Sequence, residues 1–343
     1  MVETLRVIDF GENSPLRSQT LWHGIAYGVS AGEAATLSFT RPVTPYVCIG
    51  YHRGIDEVDQ DYCRQNALPV LRRMVGGGPV YLDKGQLFFQ ICLAARAVPA
   101  ARRQALRMLL EPAVTAFRTV GVPASLDDEL EICVGDRKIC GHGAGQIDDA
   151  VVLCGNLIET FDHDRAARVL AIADPAQRGQ TLALMRRFVA ATPVDPARFQ
   201  AAMISSYAAA LGLVAAAGEL TGLERTAVEE LDEKFESAAW HGCGPDRPAP
   251  RAGAEPRARQ VKVRAGVWTF AAKRDGAEVA ASIVRGSVEQ VRLRVGGLNG
   301  STREAERAIR GIPLHSVAQV LGGFGEPGRR LAAAFVTAEA GRL

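Results

Sequence analysis

The chain has 343 residues, 48% of them hydrophobic and 23% charged, a composition that excludes disordered and fibrous classes. That length suffices for one large domain and a small one, each with its own core. The net charge of +2 hides an asymmetry: from Asp246 onward there are 17 Lys and Arg against 9 Asp and Glu. This basic excess is spread out, with little aromatic interleaving, so no nucleic-acid partner is expected. The opening MVETLRVIDFGE has no apolar run of the signal-peptide kind, and the longest apolar stretch, around Ala208 to Ala217, is too short to span a bilayer. A cytoplasmic protein without a membrane partner is the expectation. Seven cysteines (Cys48, Cys63, Cys92, Cys133, Cys140, Cys154 and Cys243) form no CxxC pair, which predicts reduced, mostly buried thiols and no metal site.

In chain order, residues 15–34 predict a first helix, with Leu21, Ile25 and Val29 at helical spacing. Strands are predicted at Thr36–Phe39 and Tyr46–Ile49, a short helix over Glu57–Asn66, and a strand at Leu68–Leu71 that enters a glycine run. Pro79–Leu82 and Leu87–Ile91 read as two strands expected to pair, followed by a helix from Arg102 to Val120 that Gly121 and Pro123 end. Further strands are predicted at Leu130–Val134, Lys138–Cys140 and Val151–Ile158, then helices at Arg165–Ile172, Ala197–Leu213 and Thr226–Phe235. Residues 241–260, rich in Pro, Gly, Arg and Ala, read as a linker. Beyond it, alternation over Val261–Phe270 and Val288–Val295 and helical spacing over Arg303–Ile309 and Leu314–Leu321 make a small α+β module. The expected organisation is a first domain over 1–240, a linker over 241–260 and an accessory domain over 261–343. Strands first with helices packed around them argue for an α+β class with mixed or antiparallel sheets, not a doubly wound parallel sheet.

Two runs carry chemistry. In the first, Arg72-Arg73-Met74-Val75-Gly76-Gly77-Gly78-Pro79-Val80, two arginines precede three glycines between apolar strands. Glycines let backbone N–H groups approach an anion, and guanidinium forks match phosphate oxygens. No GxxxxGK[ST] occurs, so this would be a different kind of nucleotide site. A plain turn is the competing reading. In the second run, Asp136-Arg137-Lys138-Ile139-Cys140-Gly141, the lysine stands out because the chain holds five lysines against 35 arginines. A compact ammonium on a flexible stem can follow a reacting carboxylate, although a surface lysine at a hairpin end is equally compatible. Asp83 could orient an arginine or help hold Mg2+ on phosphates, and Asp83-Lys84-Gly85 is also good turn chemistry.

The run RRMVGGGPVYLD resembles the RRxxGGGxVxxD signature of the lipoate–protein ligase family, which is kin to biotin–protein ligases and octanoyl transferases. GDRKICG resembles that family's lysine motif, PYVCIGYHRGIDE the stretch before the first motif, and Gly155-Asn156-Leu157-Ile158 its GTLL-type strand. The resemblance covers residues 1 to about 235, and the module after the linker is similar in size to the accessory domain of two-domain ligases. It implies ATP-dependent activation of lipoate to lipoyl-AMP with release of pyrophosphate. Transfer to a lysine of a lipoyl carrier protein or lipoyl domain then follows, with Mg2+ assisting. On that resemblance Lys138 would contact the acyl carboxyl and the α-phosphate, while Arg73, with Arg72 behind it, would grip phosphate or order the loop. Gly76, Gly77 and Gly78 would shape the adenylate pocket. Pro79, Val80, Tyr81 and Leu82 would border the nucleotide, and Val75 would line the acyl slot. Val75, Leu82, His142, Gly143 and Asn156 depart from the family pattern, which bears on the acyl substrate, lipoate or octanoate, and on the carrier.

Three alternatives follow from the same residues. A cysteine-dependent octanoyl or lipoyl transferase would work without ATP and would need a nucleophile near Lys138, for which Cys140 and Cys154 are the candidates. A biotin ligase fits less well, because the glycine loop lacks a GRGRxGR pattern. A non-catalytic lipoyl-carrier binding protein would not need Lys138.

Overall fold

The computed structural model describes residues 3–241, 259–297 and 302–340. The chain forms two compact units that are interleaved in sequence, one of Met1–Leu170 with Ala190–Pro248, the other of Ala171–Val189 with Ala249–Leu343. The stretch 171–189 thus clusters with the second unit, although the expected first domain spans 1–240. Most of the expected linker, and Cys243, lie outside the described residues.

The first unit begins with β1 (Thr4–Asn13), α1 (Arg17–Ser30), β2 (Thr36–Pro42), β3 (Tyr46–Ile49), α2 (Gln60–Gln65), β4 (Val70–Arg72), β5 (Val80–Leu82) and β6 (Gln86–Ala94). It continues through α3 (Arg102–Thr119), β7 (Ser125–Leu126), β8 (Ile132–Val134), β9 (Arg137–Lys138), β10 (His142–Ile147), β11 (Ala150–Ile158) and α4 (His163–Arg168). After α5 (Pro175–Phe188), which belongs to the second unit, it closes with α6 (Pro196–Leu211), β12 (Val214–Ala217), α7 (Gly222–Glu236) and α8 (Ala238–His241). The main sheet has the order β10-β11-β6-β2-β1-β12, with β1 parallel to both its neighbours and the remaining pairs antiparallel. This mixed sheet with helices on its faces is the expected α+β class.

Both faces of the sheet are covered, and the alternation along β6 shows how. Leu87, Phe89, Ile91 and Leu93 join the core under α3 and α6, where the Phe117 and Phe199 rings meet at 4.7 Å. Cys92 points the other way, into a core with Trp22, Ile25, Ala26 and Val29 of α1. A strand buried on both faces reads as one apolar run, which is why LFFQICLA shows no alternation in sequence.

Two small sheets frame the motifs, one of order β4-β3-β5 and one of order β7-β8-β9. The expected pairing of β5 with β6 does not occur: β5 pairs with β3, and β6 with β2 and β11. The turn at Asp83 redirects the chain instead of closing a hairpin, with Gly85 N donating to Asp83 Oδ1 at 2.9 Å and Gln86 N to Asp83 O at 3.1 Å.

In the second unit the antiparallel strands β13 (Arg259–Arg264), β14 (Val267–Arg274), β15 (Ala277–Val284) and β16 (Ser287–Arg294) lie in chain order. Helices α9 (Thr302–Ile309), α10 (Leu314–Gly322) and α11 (Gly325–Ala340) follow them. Phe270, Ile283, Val291, Val317, Leu331 and Phe335 are among the apolar core of this unit. Helix α5 also packs here: Leu184 and Phe188 meet Val267, and Thr181 Oγ1 lies 2.7 Å from Thr269 Oγ1. No helix among the described residues is long and apolar enough to cross a membrane.

Candidate active site

The glycine loop leaves β4 at Arg72, whose guanidinium is wholly buried. Its Nε donates to Trp240 O at 2.9 Å, and its Nη1 lies 3.1, 2.9 and 2.6 Å from the carbonyl oxygens of Gly50, Tyr51 and Arg53. Trp240 Nε1 returns a bond to Arg72 O at 3.0 Å. A delocalised cation with a fork of donors can stay in the interior when carbonyl dipoles surround it. Arg72 is therefore a brace for residues 50–53 and for α8.

Arg73 organises the loop itself. Its Nε and Nη2 donate to Gly76 O at 3.1 and 2.8 Å, Nη2 also to Gly78 O at 3.1 Å, and Nη1 to Cys48 O at 3.1 Å. Of the two expected roles, gripping phosphate or ordering the loop, the second is the one these bonds perform. Gly77 sits at φ +103°, a conformation that favours glycine, and a Cβ on Gly50 would lie 2.1 Å from Gly77 O. Tyr51 N donates to Val75 O at 3.0 Å, and Val75 is buried among Trp22, Ile25, Ile147 and Val152.

The lysine motif forms the hairpin β8–β9, where Lys138 pairs with Cys133. Lys138 Nζ lies 3.0 Å from Glu131 Oε1, and both side chains are largely withdrawn from solvent. Asp127 Oδ1 fixes the stretch before β8 by accepting from Glu131 N at 2.8 Å and from Glu129 N at 2.9 Å. The strand after the lysine, β10, lies against the glycine loop. A Cβ on Gly145 would be 3.0 Å from Val75 Cγ1, and one on Gly143 would be 3.6 Å from Gly76 O. The two motifs are thus neighbours, and small residues on β10 let them approach.

A buried line of amides also joins them. Gly141 N donates to Asn156 Oδ1 at 2.6 Å, Asn156 Nδ2 to Gln86 Oε1 at 2.8 Å, and Gln86 Nε2 to Tyr81 O at 3.3 Å. Tyr81 lies on β5, an edge strand of its sheet, with Val80 exposed and Leu82 at the strand end after Pro79. Asp83 closes the turn that follows. Among the described residues no group of three or more His, Cys, Asp and Glu is assembled that could hold a metal ion. A cleft of about 600 Å³ opens between α1 and α7, lined by Tyr27, Leu223, Ala227, Leu231 and Lys234 among others. Tyr27 Oη of this cleft lies 3.9 Å from Met74 Sδ, at the start of the glycine loop.

The candidate thiols have quiet environments. Cys140 is fully buried, its Sγ 3.4 Å from Gly141 O, and burial pushes its pKa up to about 12 despite Lys138 nearby. Burial, with Cys92 adding to it, also raises the Cys154 thiol well above its ordinary range. Sequence reasoning missed Glu131, Gln86 and His23, and treated Asn156 only as a departure from the family pattern. The Glu131 signal is a carboxylate seven residues before the motif lysine, across the same hairpin; the others have no signal of their own.

Known proteins resemble this chain in sequence and in fold. Octanoyltransferase LipM of Symbiobacterium thermophilum is 25% identical over 273 residues, 69% of this chain and 96% of that protein. A bi-partite lipoate protein ligase of Thermoplasma acidophilum, studied with its E2 lipoyl domain, superposes at a TM-score of 0.65 and 25% identity, over 72% of this chain and 99% of that one. Lipoate-protein ligase A bound with ATP shares the fold at a TM-score of 0.60 and 24% identity, over 70% of this chain and 99% of that one. The model of the lipoyl protein ligase A/B catalytic domain matches residues 25–206, more than half of the sequence, and the chain belongs to that family.

Proposed function

We propose that the protein is an ATP-dependent lipoate–protein ligase. In the first step a lipoate carboxylate oxygen attacks the α-phosphorus of ATP, forming lipoyl-AMP and releasing pyrophosphate. In the second, the amine of an acceptor lysine on a lipoyl carrier attacks the acyl carbon, AMP leaves, and an amide bond remains.

The observation that carries this reading is Lys138, a partly buried ammonium beside Glu131 on a hairpin whose continuing strand touches the glycine loop. Charge builds on the carboxyl and phosphoryl oxygens in both transition states, and a fixed cation in a water-poor site stabilises it. The glycine loop, ordered by Arg73, would offer backbone N–H groups at Gly76–Gly78, and the outer edge of β5 would border the nucleotide. The apolar surroundings of Val75 suit an apolar acyl chain. Magnesium takes one or two protein carboxylates and otherwise phosphate oxygens and water, so it would come with the nucleotide, and Asp83 offers one carboxylate.

The alternative, acyl transfer through a cysteine without ATP, is favoured by the likeness to octanoyltransferases. It asks for a thiolate beside Lys138, whereas Cys140 is fully buried, Cys154 partly so, and desolvation raises the pKa of both thiols. The deciding experiment is mass spectrometry of a lipoyl domain incubated with the protein, ATP, Mg2+ and lipoate. A lipoyl mass increment that needs ATP and vanishes in Lys138→Ala is expected. Modification from an acyl-carrier donor alone, independent of ATP, would establish the transferase instead.

A further inference from the structure

The glycine loop is held from its other side by a residue of the first helix. His23 of α1 is fully buried, and its Nδ1 lies 2.6 Å from Gln19 O one turn earlier. A carbonyl can only accept, so Nδ1 carries the proton and Nε2 keeps a bare lone pair. Met74 N–H donates to that lone pair at 3.0 Å. Met74 follows the end of β4, where the strand ladder no longer takes up its N–H, and it immediately precedes the buried Val75. The ring plane is fixed by Trp22, stacked at 3.4 Å between centroids, and by the edge of Phe235 at 5.0 Å. Burial, with the positive charges of Lys234 and Arg73, lowers the imidazole pKa to about 3, so the acceptor persists at physiological pH. An imidazolium would set N–H against N–H and release the loop.

We propose that His23 is a positioning residue for nucleotide activation, its Nε2 fixing Met74 N–H and with it the seating of Val75–Gly78 against β10. Arg73 ties the loop's carbonyls and His23 ties its leading amide, so together they define one loop conformation. The kinetic part of this proposal rests on the ligase reading above.

Two variants of the full chain test it. His23→Leu keeps similar volume and removes the acceptor, while His23→Gln carries an amide oxygen close to where Nε2 stood. Three quantities are read: hydrogen–deuterium exchange of residues 74–78, lipoate-dependent exchange of pyrophosphate into ATP, and thermal melting. Misplacement of reacting groups by about 1 Å costs roughly 100-fold, so His23→Leu is expected to lower kcat at least tenfold with little change in KM for ATP. Exchange in the loop should rise by a similar factor, and His23→Gln should return both quantities to within about threefold of wild type. A folded His23→Leu protein with unchanged loop exchange, or a folded His23→Gln protein as impaired as His23→Leu, overturns the proposal. If wild type shows no lipoate-dependent pyrophosphate exchange, the ligase reading fails, and loop exchange alone decides the positioning role. If His23→Leu does not fold, His23→Asn, whose shorter amide cannot reach Met74, takes its place; equal behaviour of the Asn and Gln variants would refute the role.

Discussion

Lys138 Nζ sits 3.0 Å from Glu131 Oε1, with side-chain exposures of 17% and 6%. The cation assigned to the reacting oxygens is therefore neutralised at rest by a carboxylate from the preceding stretch of chain. Ion pairs withdrawn from water are weakly screened, and removing one member strands the other. An incoming acyl carboxylate or phosphate would share Lys138 with Glu131, which limits how far the ammonium can wander.

Lys138→Ala is expected to lower lipoate-dependent pyrophosphate exchange by about 100-fold or more, the cost of losing one key electrostatic donor. Glu131→Gln, which keeps an acceptor and removes the charge, should cost about tenfold through lost orientation of the lysine. In the double variant Glu131→Gln should add less than about twofold, because the two act as a unit. Full additivity would mean that Glu131 acts on something other than Lys138.

The adjacent arginines should separate cleanly. Arg72→Lys loses a fork that reaches the carbonyls of Gly50, Tyr51, Arg53, Trp240 and His241, and urea unfolding should show destabilisation of about 3 kcal/mol or more. Arg73→Lys should cost about 1–2 kcal/mol at most while slowing the first half-reaction more than Arg72→Lys does. The reverse ranking in both measurements would overturn the division between brace and loop organiser.

Cys140→Ser and Cys154→Ser, each alone, should retain carrier lipoylation with ATP to within about threefold of wild type, since desolvation raises the pKa of both thiols and disfavours a nucleophilic thiolate. Loss of all lipoylation in either variant, with an unchanged melting temperature, would bring the thioester route back.

Stability should fall in mild acid. His23 has a folded pKa of about 3 against 6.5 in the unfolded chain, so the unfolded state binds the extra proton first. Its contribution is complete above pH 6.5 and declines as pH drops toward 3, by up to about 1.4 kcal/mol per pH unit. His241, lowered by burial and by Arg72, acts in the same direction. Calorimetry across this range should show a shallower decline for His23→Gln; an identical slope would mean that other groups govern it.

The sequence made the motif loops and most helices of the first unit legible because their signals are local: glycine runs, helical spacing and end signals. Helix α5 went unread although Asp174 and Pro175 mark its start, with Gln177 N donating to Asp174 Oδ1 at 2.8 Å. Its buried side carries Gln177, Gln180 and Thr181, so the apolar period that betrays a helix is missing. Strand β10 was hidden for a related reason, as His142-Gly143-Ala144-Gly145 looks like a loop until the close approach of Val75 explains the small residues. Burial could not be read from type at Arg72 either. A guanidinium next to a glycine loop suggests an anion, and only the tertiary carbonyls of residues 50–53 show what it holds.

The placement of α5 bears on how the protein is made. A ribosome delivers this helix before the strands that cover it, β13 to β15, so Leu184 and Phe188 stay uncovered until the last quarter of the chain emerges. The second unit is therefore assembled from two distant pieces of one polypeptide, and cutting the chain after residue 248 would remove the roof of α5 along with the module itself. A truncated chain with lost activity would then report an orphaned helix as readily as a missing domain. Supplying residues 249–343 as a separate polypeptide, and asking whether it re-covers the helix, is the cleaner dissection.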